Sequence, residues 1–225
     1  MRVFVAGATG VIGRPLLPML VEGGHQVTAM TRSHGKAERL RAAGAEPEVC
    51  DAYDVDAPHP WRRAIAALLV LEETVTRTPG IEGVVLRYGF FYGPGTSYAA
   101  DGGIARQVRG RRFPIVGKGD GMLSFIHLED AARATVLACE RGAPGIYNVV
   151  DDDPARLRDW LPVYAEALGA KRPLRVPVWL ARLGGGPVAA RLAVGRGASN
   201  ARARRDLGWE PRYPSWRQGF REALG

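Results

Sequence analysis

No stretch of this chain stays apolar for the roughly 18 residues that a membrane-crossing helix needs, so nothing in it is expected to span a bilayer and no membrane partner is expected. The opening, MRVFVAGATG, reaches glycine after four apolar positions, too short a run for a secretory leader, and a cytoplasmic location is the expectation. Cysteine is scarce: Cys50 and Cys139 follow no metal or redox spacing and suit buried thiols in a reducing compartment. The histidines, at 25, 34, 59 and 127, are scattered, and none shares a helix face with a carboxylate at ligand spacing, so no metal site is expected. Asp151, Asp152 and Asp153 could gather a cation, but a helix start with Asp153 as cap and Pro154 in the first turn is simpler. Lysine is nearly absent, only Lys36, Lys118 and Lys171, so the net charge of +8 is arginine. Together with the abundant alanine, glycine and proline, that looks like a GC-rich coding bias. The densest basic runs, RGRR at 109–112 and RARR at 202–205, lack interleaved aromatics, and no nucleic-acid partner is expected.

What is present points to a nucleotide-binding fold. The chain has 225 residues and 46% hydrophobic content, enough for one large domain or one and a half. RVFVA at 2–6 reads as a buried strand, followed at once by GATGVIG, which spaces Gly7, Gly10 and Gly13 by three. Leu16, Leu17, Leu20 and Val21 then recur at helical spacing until Gly23-Gly24, with a kink expected at Pro18, and HQVTAM at 25–30 reads as a second strand. In that context the glycines allow a tight turn and close approach to a pyrophosphate, and the helix start presents free N–H groups to it. The expected cofactor-binding residues of the turn are Gly7, Thr9, Gly10, Val11, Ile12 and Gly13. After the second strand an NAD-selective site would place an acidic residue. Arg32 and Ser33 stand there instead, and a guanidinium fork suits a 2′-phosphate, which favours NADP over NAD. A helix at 36–43 and a strand at 48–50 lead to Asp51, which either accepts from the adenine amino group or caps a turn.

These features resemble the extended short-chain dehydrogenase/reductase superfamily, specifically its NAD-dependent epimerase/dehydratase group. The likeness rests on GATGVIG, Asp51 and Asp54, LRYGFFYGPG at 86–95, GKGDGMLSFIHLEDAARA at 117–134, GIYNVVDD at 145–152 and the tail at 199–220. It implies a Rossmann-like doubly wound parallel sheet over 1–95, joined by a returning strand at 145–150, and a small substrate-facing subdomain over 96–225. Tyr88 is expected beside the nicotinamide. In the family two further strand–helix units, a catalytic Ser/Thr and a Tyr-x-x-x-Lys motif separate the third and sixth strands. Here Asp51 and Val84 lie only 33 positions apart, room for one helical crossover. That helix, Trp61 to about Thr76, resembles the end of the family's catalytic helix. Aligned on Glu72, it holds Ala64 and Leu68 where the tyrosine and lysine belong. No tyrosine of the chain is followed four positions later by lysine.

The shortened sheet leaves three readings: strand 84–87 moves inward to pair with strand 2–6, a second protomer supplies the missing edge as a homodimer, or the chain is an internal deletion that still folds. No catalytic residue is assigned. Tyr88, Tyr92 and His127 are the remaining candidates, with Asp130 expected to cap or stabilise the helix at 129–141 and His127 to hold its loop. Arg87 is expected to anchor the strand end or a carboxylate. Phe113, Pro114, Leu123, Phe125, Trp179 and Leu180 are candidate pocket walls or plain core. Leu123-Ser124 replaces the Arg-Asp pair that the family's sugar-nucleotide members tend to carry, so the expected substrate is a small molecule other than a nucleotide sugar. Three functions follow: an atypical NADP-dependent oxidoreductase or epimerase, a cofactor-binding sensor or partner subunit, or a non-redox dehydratase or cyclase reusing the pocket.

Overall fold

The computed structural model describes residues 2–5, 8–31, 34–49, 72–80, 82–184 and 195–224. The chain forms two compact units, each assembled from separate stretches. The first comprises Met1–Arg87, Ala132–Tyr147 and Arg205–Trp209, and the second Tyr88–Ala131, Asn148–Arg204 and Glu210–Gly225.

The first unit begins with β1 (Arg2–Val5), α1 (Gly13–Glu22), β2 (Gln26–Thr31), α2 (His34–Ala42) and β3 (Glu46–Val49). The three strands are parallel with β2 in the centre, the 3-2-1 order that the sequence predicts. Val3 lies opposite Val27 and Val5 opposite Ala29. Leu16, Leu17 and Leu20 bring one face of α1 into a core with Val5, Val27, Ala29 and Leu40. The helix assignment continues through Pro18, which is exposed. Its end is set by glycine: Gly23 N–H donates to the Met19 carbonyl at 3.0 Å, and Gly24 takes φ +75°.

After helical residues 72–77 (α3) comes β4 (Val84–Tyr88), which pairs with β9 (Gly145–Val149). Among the described residues β4 does not pair with β1, so the expected inward move of strand 84–87 is corrected. A hydrophobic strand needs a ladder partner. The returning strand β9 meets that need: Gly145 N–H donates to Gly83 at 2.9 Å and Gly89 N–H to Val149 at 3.1 Å.

The second unit is built around aromatic rings. Its elements are β5 (Phe90–Tyr92), α4 (Gly103–Arg109), β6 (Ile115–Val116), β7 (Met122–Leu123), β8 (Phe125–His127), the start of α5 (Leu128–Arg141), β10 (Ala155–Arg156), α6 (Leu157–Ala167), β11 (Arg175–Val176), α7 (Val178–Gly184), the start of α8 (Ala201–Leu207) and α9 (Trp216–Leu224). β5 and β8 are parallel, with Tyr92 opposite His127. Phe125, fully buried, packs edge-on to Tyr98, Trp160 and Phe220 at 5.3, 5.3 and 5.2 Å between centroids. Edge-to-face rings at such spacing add to the area they bury. The helix expected to start at Asp153-Pro154 starts instead at Leu157, because Ala155 and Arg156 first pair antiparallel with Leu123 and Met122.

Candidate functional site

Residues 8–13, the described part of the turn between β1 and α1, bring the chain into a close approach at the start of the helix. Gly13 opens the helix against the Ala8 backbone so closely that a methyl group there would overlap the Ala8 carbonyl, and only glycine fits. The N–H groups of Val11 and Ile12 have no acceptor among the described residues, whereas Arg14 N–H donates to Gly10 at 3.1 Å. Free donors at a helix start are what a pyrophosphate needs. Gly7 lies outside the described residues, as do Arg32, Ser33 and Asp51.

Beside the turn lies a cavity of about 160 Å³ lined by Thr9, Arg14, Leu17, Lys36, Arg39 and Leu40, among others. Three cations and a hydroxyl converge on an apolar floor. The sequence singled out none of those cations. A signal was there, since Lys36 and Arg39 are three apart on α2 and so share a face, and Lys36 is one of three lysines in the chain. They escaped notice because arginine is common throughout and Arg32 already filled the expected role.

Of the helix expected from Trp61 to about Thr76, residues 72–77 are described and helical, and Ala64 and Leu68 lie outside the described residues. The described segment is tied to β4 by a bidentate ion pair: Arg87 Nε to Glu72 Oε1 at 2.8 Å and Arg87 Nη2 to Glu72 Oε2 at 2.5 Å. The hydrogen bonds from Arg87 hold the Glu72 carboxyl below its usual range. Arg87 therefore anchors a carboxylate, the second of the two roles expected for it.

In the second unit, Tyr88 sits at the end of β4 with its ring 5.4 Å from Phe91. Tyr92 has no exposed surface, its hydroxyl is without a hydrogen-bond partner among the described residues, and it lies where a methyl on Gly219 would be. Burial raises its pKa far above that of free tyrosine, followed by the charges of Asp151 and Asp130. A phenol so enclosed does not exchange protons with a small molecule. His127 is buried too. Its Nδ1 accepts from Glu129 N–H at 3.3 Å, its ring lies tilted against that of Tyr213 with centroids 4.0 Å apart, and burial lowers its pKa.

The expected roles at this helix are thus exchanged. His127 caps α5, while Asp130 reaches to the C-terminal segment, accepting from Arg212 N–H at 2.8 Å and Tyr213 N–H at 2.9 Å. The aspartate run does related work. Asp151 accepts from Trp216 N–H at 2.9 Å, Asp152 takes Asn200 Nδ2 at 2.8 Å and Arg204 at 2.9 Å, and Asp153 accepts from Ser215 Oγ at 2.8 Å. Burial, ahead of the opposing backbone hydrogen bonds, pushes the Asp151 carboxyl up to about 8. Among the described residues no group of His, Cys, Asp or Glu is placed to hold a metal. Ser124 Oγ accepts from Ala198 N–H at 2.9 Å, fastening a loop. Of the expected pocket walls, Leu123 and Phe125 are core, Phe113 packs on Trp160, and Trp179 and Leu180 are exposed.

Comparison with known proteins fits this geometry. Residues 59–149 match the model of the NAD dependent epimerase/dehydratase family, and residues 7–67 that of an NAD(P)H-binding family. A 3-diazoavenalumate denitrifying reductase of Streptomyces sp. is 36% identical, over 98% of this chain and 99% of that protein. Their alignment spans 302 positions against the 225 residues here, so the excess falls opposite gaps in this chain. A 4-hydroxy-2-methyl-3-oxo-4-farnesyl-3,4-dihydroquinoline-1-oxide ketoreductase of Stigmatella aurantiaca is 26% identical over 76% of this chain and 74% of its own. Among solved structures, a nucleoside-diphosphate-sugar epimerase from Pseudomonas aeruginosa superposes with a TM-score of 0.76 at 16% identity, over 100% of this chain and 96% of that one. A human epimerase family protein with NADPH gives 0.69 at 20%, over 100% and 99%. At such identities these structures speak for the Rossmann-like fold alone.

Proposed function

The chain belongs to the NAD-dependent epimerase/dehydratase family, and from that premise we propose that it is an NADP-dependent reductase of a small molecule whose reduction draws no proton from a tyrosine–lysine pair. The observation that carries the cofactor reading is the cavity where Arg14, Lys36 and Arg39 meet Thr9 beside the glycine turn. A 2′-phosphate adds two negative charges that such a group neutralises, and NAD offers nothing to it. The glycine turn fits the pyrophosphate by its free N–H groups and by the methyl-excluding approach of Gly13 to Ala8. Arg32 and Ser33 are proposed to complete the phosphate site.

A reduced nicotinamide bound there would supply a hydride. The chain's own residues bind and orient, and the missing Tyr-x-x-x-Lys narrows what they can orient. A ketone oxygen needs a proton as it is reduced, and the sequence has no such motif to give one. An aryl diazonium needs none. Hydride addition at its terminal nitrogen gives a neutral aryl diazene; the N–H proton then passes to water as the C–N bond breaks, dinitrogen leaves, and the ring carbon keeps that bonding pair and takes a proton back from water, so charge and atoms balance without a protein acid. The name of the 36%-identical relative, a denitrifying reductase of a diazo compound, supports this class. A nucleotide sugar is not proposed, since Ser124 is committed to Ala198.

The test is reduction of an aryl diazonium with NADPH deuterated on one face of the nicotinamide. Loss of deuterium from one face only of the nicotinamide, with release of dinitrogen above the protein-free rate, supports the reading. Turnover of simple ketones at a comparable rate would overturn it. Tight NADPH binding with no turnover of either substrate would favour a cofactor-binding sensor.

A further inference from the structure

Residues 171–180 of the second unit present a surface unlike the rest of it. Leu174, Val178, Trp179 and Leu180 are all exposed, Trp179 to 65%, whereas Trp160 and Trp216 of the same unit are fully buried. Lys171, Arg172 and Arg175 are exposed between them and form no ion pair among the described residues. The surrounding sequence sharpens the pattern. Between Glu166 and Asp206 there is no acidic residue and there are nine cations, although the chain has 23 acidic residues in all. Arg172 and Arg175 also line a groove of about 700 Å³ whose walls include Ile115, Val163 and Pro173, with Glu166 as its one carboxylate.

Exposed tryptophan and leucine beside cations that outnumber the one neighbouring acid, Glu166, is the chemistry of a surface that rests on anionic lipid headgroups. A small ligand would be enclosed rather than met by projecting side chains. No helix among the described residues is long and apolar enough to cross a membrane, and lying on one requires no such helix. The absence of long apolar runs speaks only against a spanning helix and leaves peripheral contact untouched.

We propose that residues 171–180 dock the protein on an anionic phospholipid bilayer, with Trp179 and Leu180 entering the headgroup region and Lys171, Arg172 and Arg175 meeting lipid phosphates. The inference is independent of the reduction chemistry. Its test is co-sedimentation of the full chain with vesicles of phosphatidylcholine alone and of phosphatidylcholine with phosphatidylglycerol, at low and high salt, alongside tryptophan fluorescence. The protein is expected to bind the anionic vesicles, to leave them as salt rises, and to shift its emission to the blue, a shift that Trp179→Phe removes. Each cation near such a surface contributes roughly fivefold in affinity, so Arg172→Glu with Arg175→Glu is expected to weaken binding by more than about tenfold. Trp179→Ser is expected to weaken it as well. An unchanged thermal melt and NADPH titration show that the variants are folded. No binding to anionic vesicles, equal binding to neutral ones, or undiminished binding by the variants would overturn the proposal. So would a Trp179→Ser variant that binds vesicles normally but loses affinity for substrate, which would place the patch over the substrate instead.

Discussion

Raising the pH from 6.5 to 8 should destabilise this protein, and Asp151 is the reason. The residue is 1% exposed, its Oδ2 accepts from Trp216 N–H at 2.9 Å, and its Oδ1 has only the 3.4 Å contact with Asp153 N–H. That leaves Oδ1 to carry a proton. Burial pushes the carboxyl to about 8 from an ordinary 3.8, so the folded chain holds the proton through a range in which the unfolded chain has released it. The contribution is full below the unfolded value, falls as pH rises, and is gone once pH passes the folded value. Each pH unit in that window removes about 1.4 kcal/mol. His127 works in the opposite direction, since burial lowers its pKa, and its effect fades only over about a unit above pH 6.5, where the unfolded imidazole is still half charged. Urea denaturation of the native chain and of Asp151→Asn at pH 6.5, 7 and 7.5 therefore isolates the carboxyl, since both carry the imidazole. The free energy of unfolding is expected to fall by about 1 kcal/mol across that unit in the native chain. It should stay level or rise slightly in Asp151→Asn, which is neutral throughout and keeps an acceptor for Trp216. A native chain with flat or rising stability, or a variant with the same slope, would refute the reasoning.

Three further outcomes are expected. Lys36→Gln with Arg39→Gln should weaken NADPH binding by roughly tenfold or more while changing NADH binding little, by isothermal titration, since charge-assisted hydrogen bonds to the extra phosphate are lost. Gly13→Ala should abolish binding of both dinucleotides, because its methyl overlaps the Ala8 carbonyl and forces the turn open; binding within threefold of the native chain would contradict this. Asp130→Asn should cost about 1 to 2 kcal/mol in urea denaturation, since an amide keeps one acceptor oxygen for two partly buried hydrogen bonds; a change below about 0.5 kcal/mol would show that the clamp is dispensable.

Much of the first unit was legible because local signals agree there. Leu16, Leu17 and Leu20 share a face, glycines bound the helix, and the strands fall between turns, so order and direction followed from the pattern. The partner of β4 was less so, because a strand's need for a neighbour does not say which neighbour supplies it. The aspartates were harder still. Asp153 before Pro154 is a good helix start by local rule, yet Ala155 and Arg156 join a strand first, and Asp130 sits in the first turn of a helix while bonding to residues 82 and 83 positions away. Contacts at that separation leave no periodic trace in sequence. The loss of the tyrosine–lysine pair, by contrast, needed no structure to see.

The central claim, that the pocket beside the glycine turn selects NADP, is tested most directly by titrating the native chain with NADPH and with NADH under the same salt. NADPH should bind more tightly by roughly tenfold to a hundredfold, as expected for a phosphate held by charge-assisted hydrogen bonds. Equal affinity for the two, or no binding of either, would contradict it.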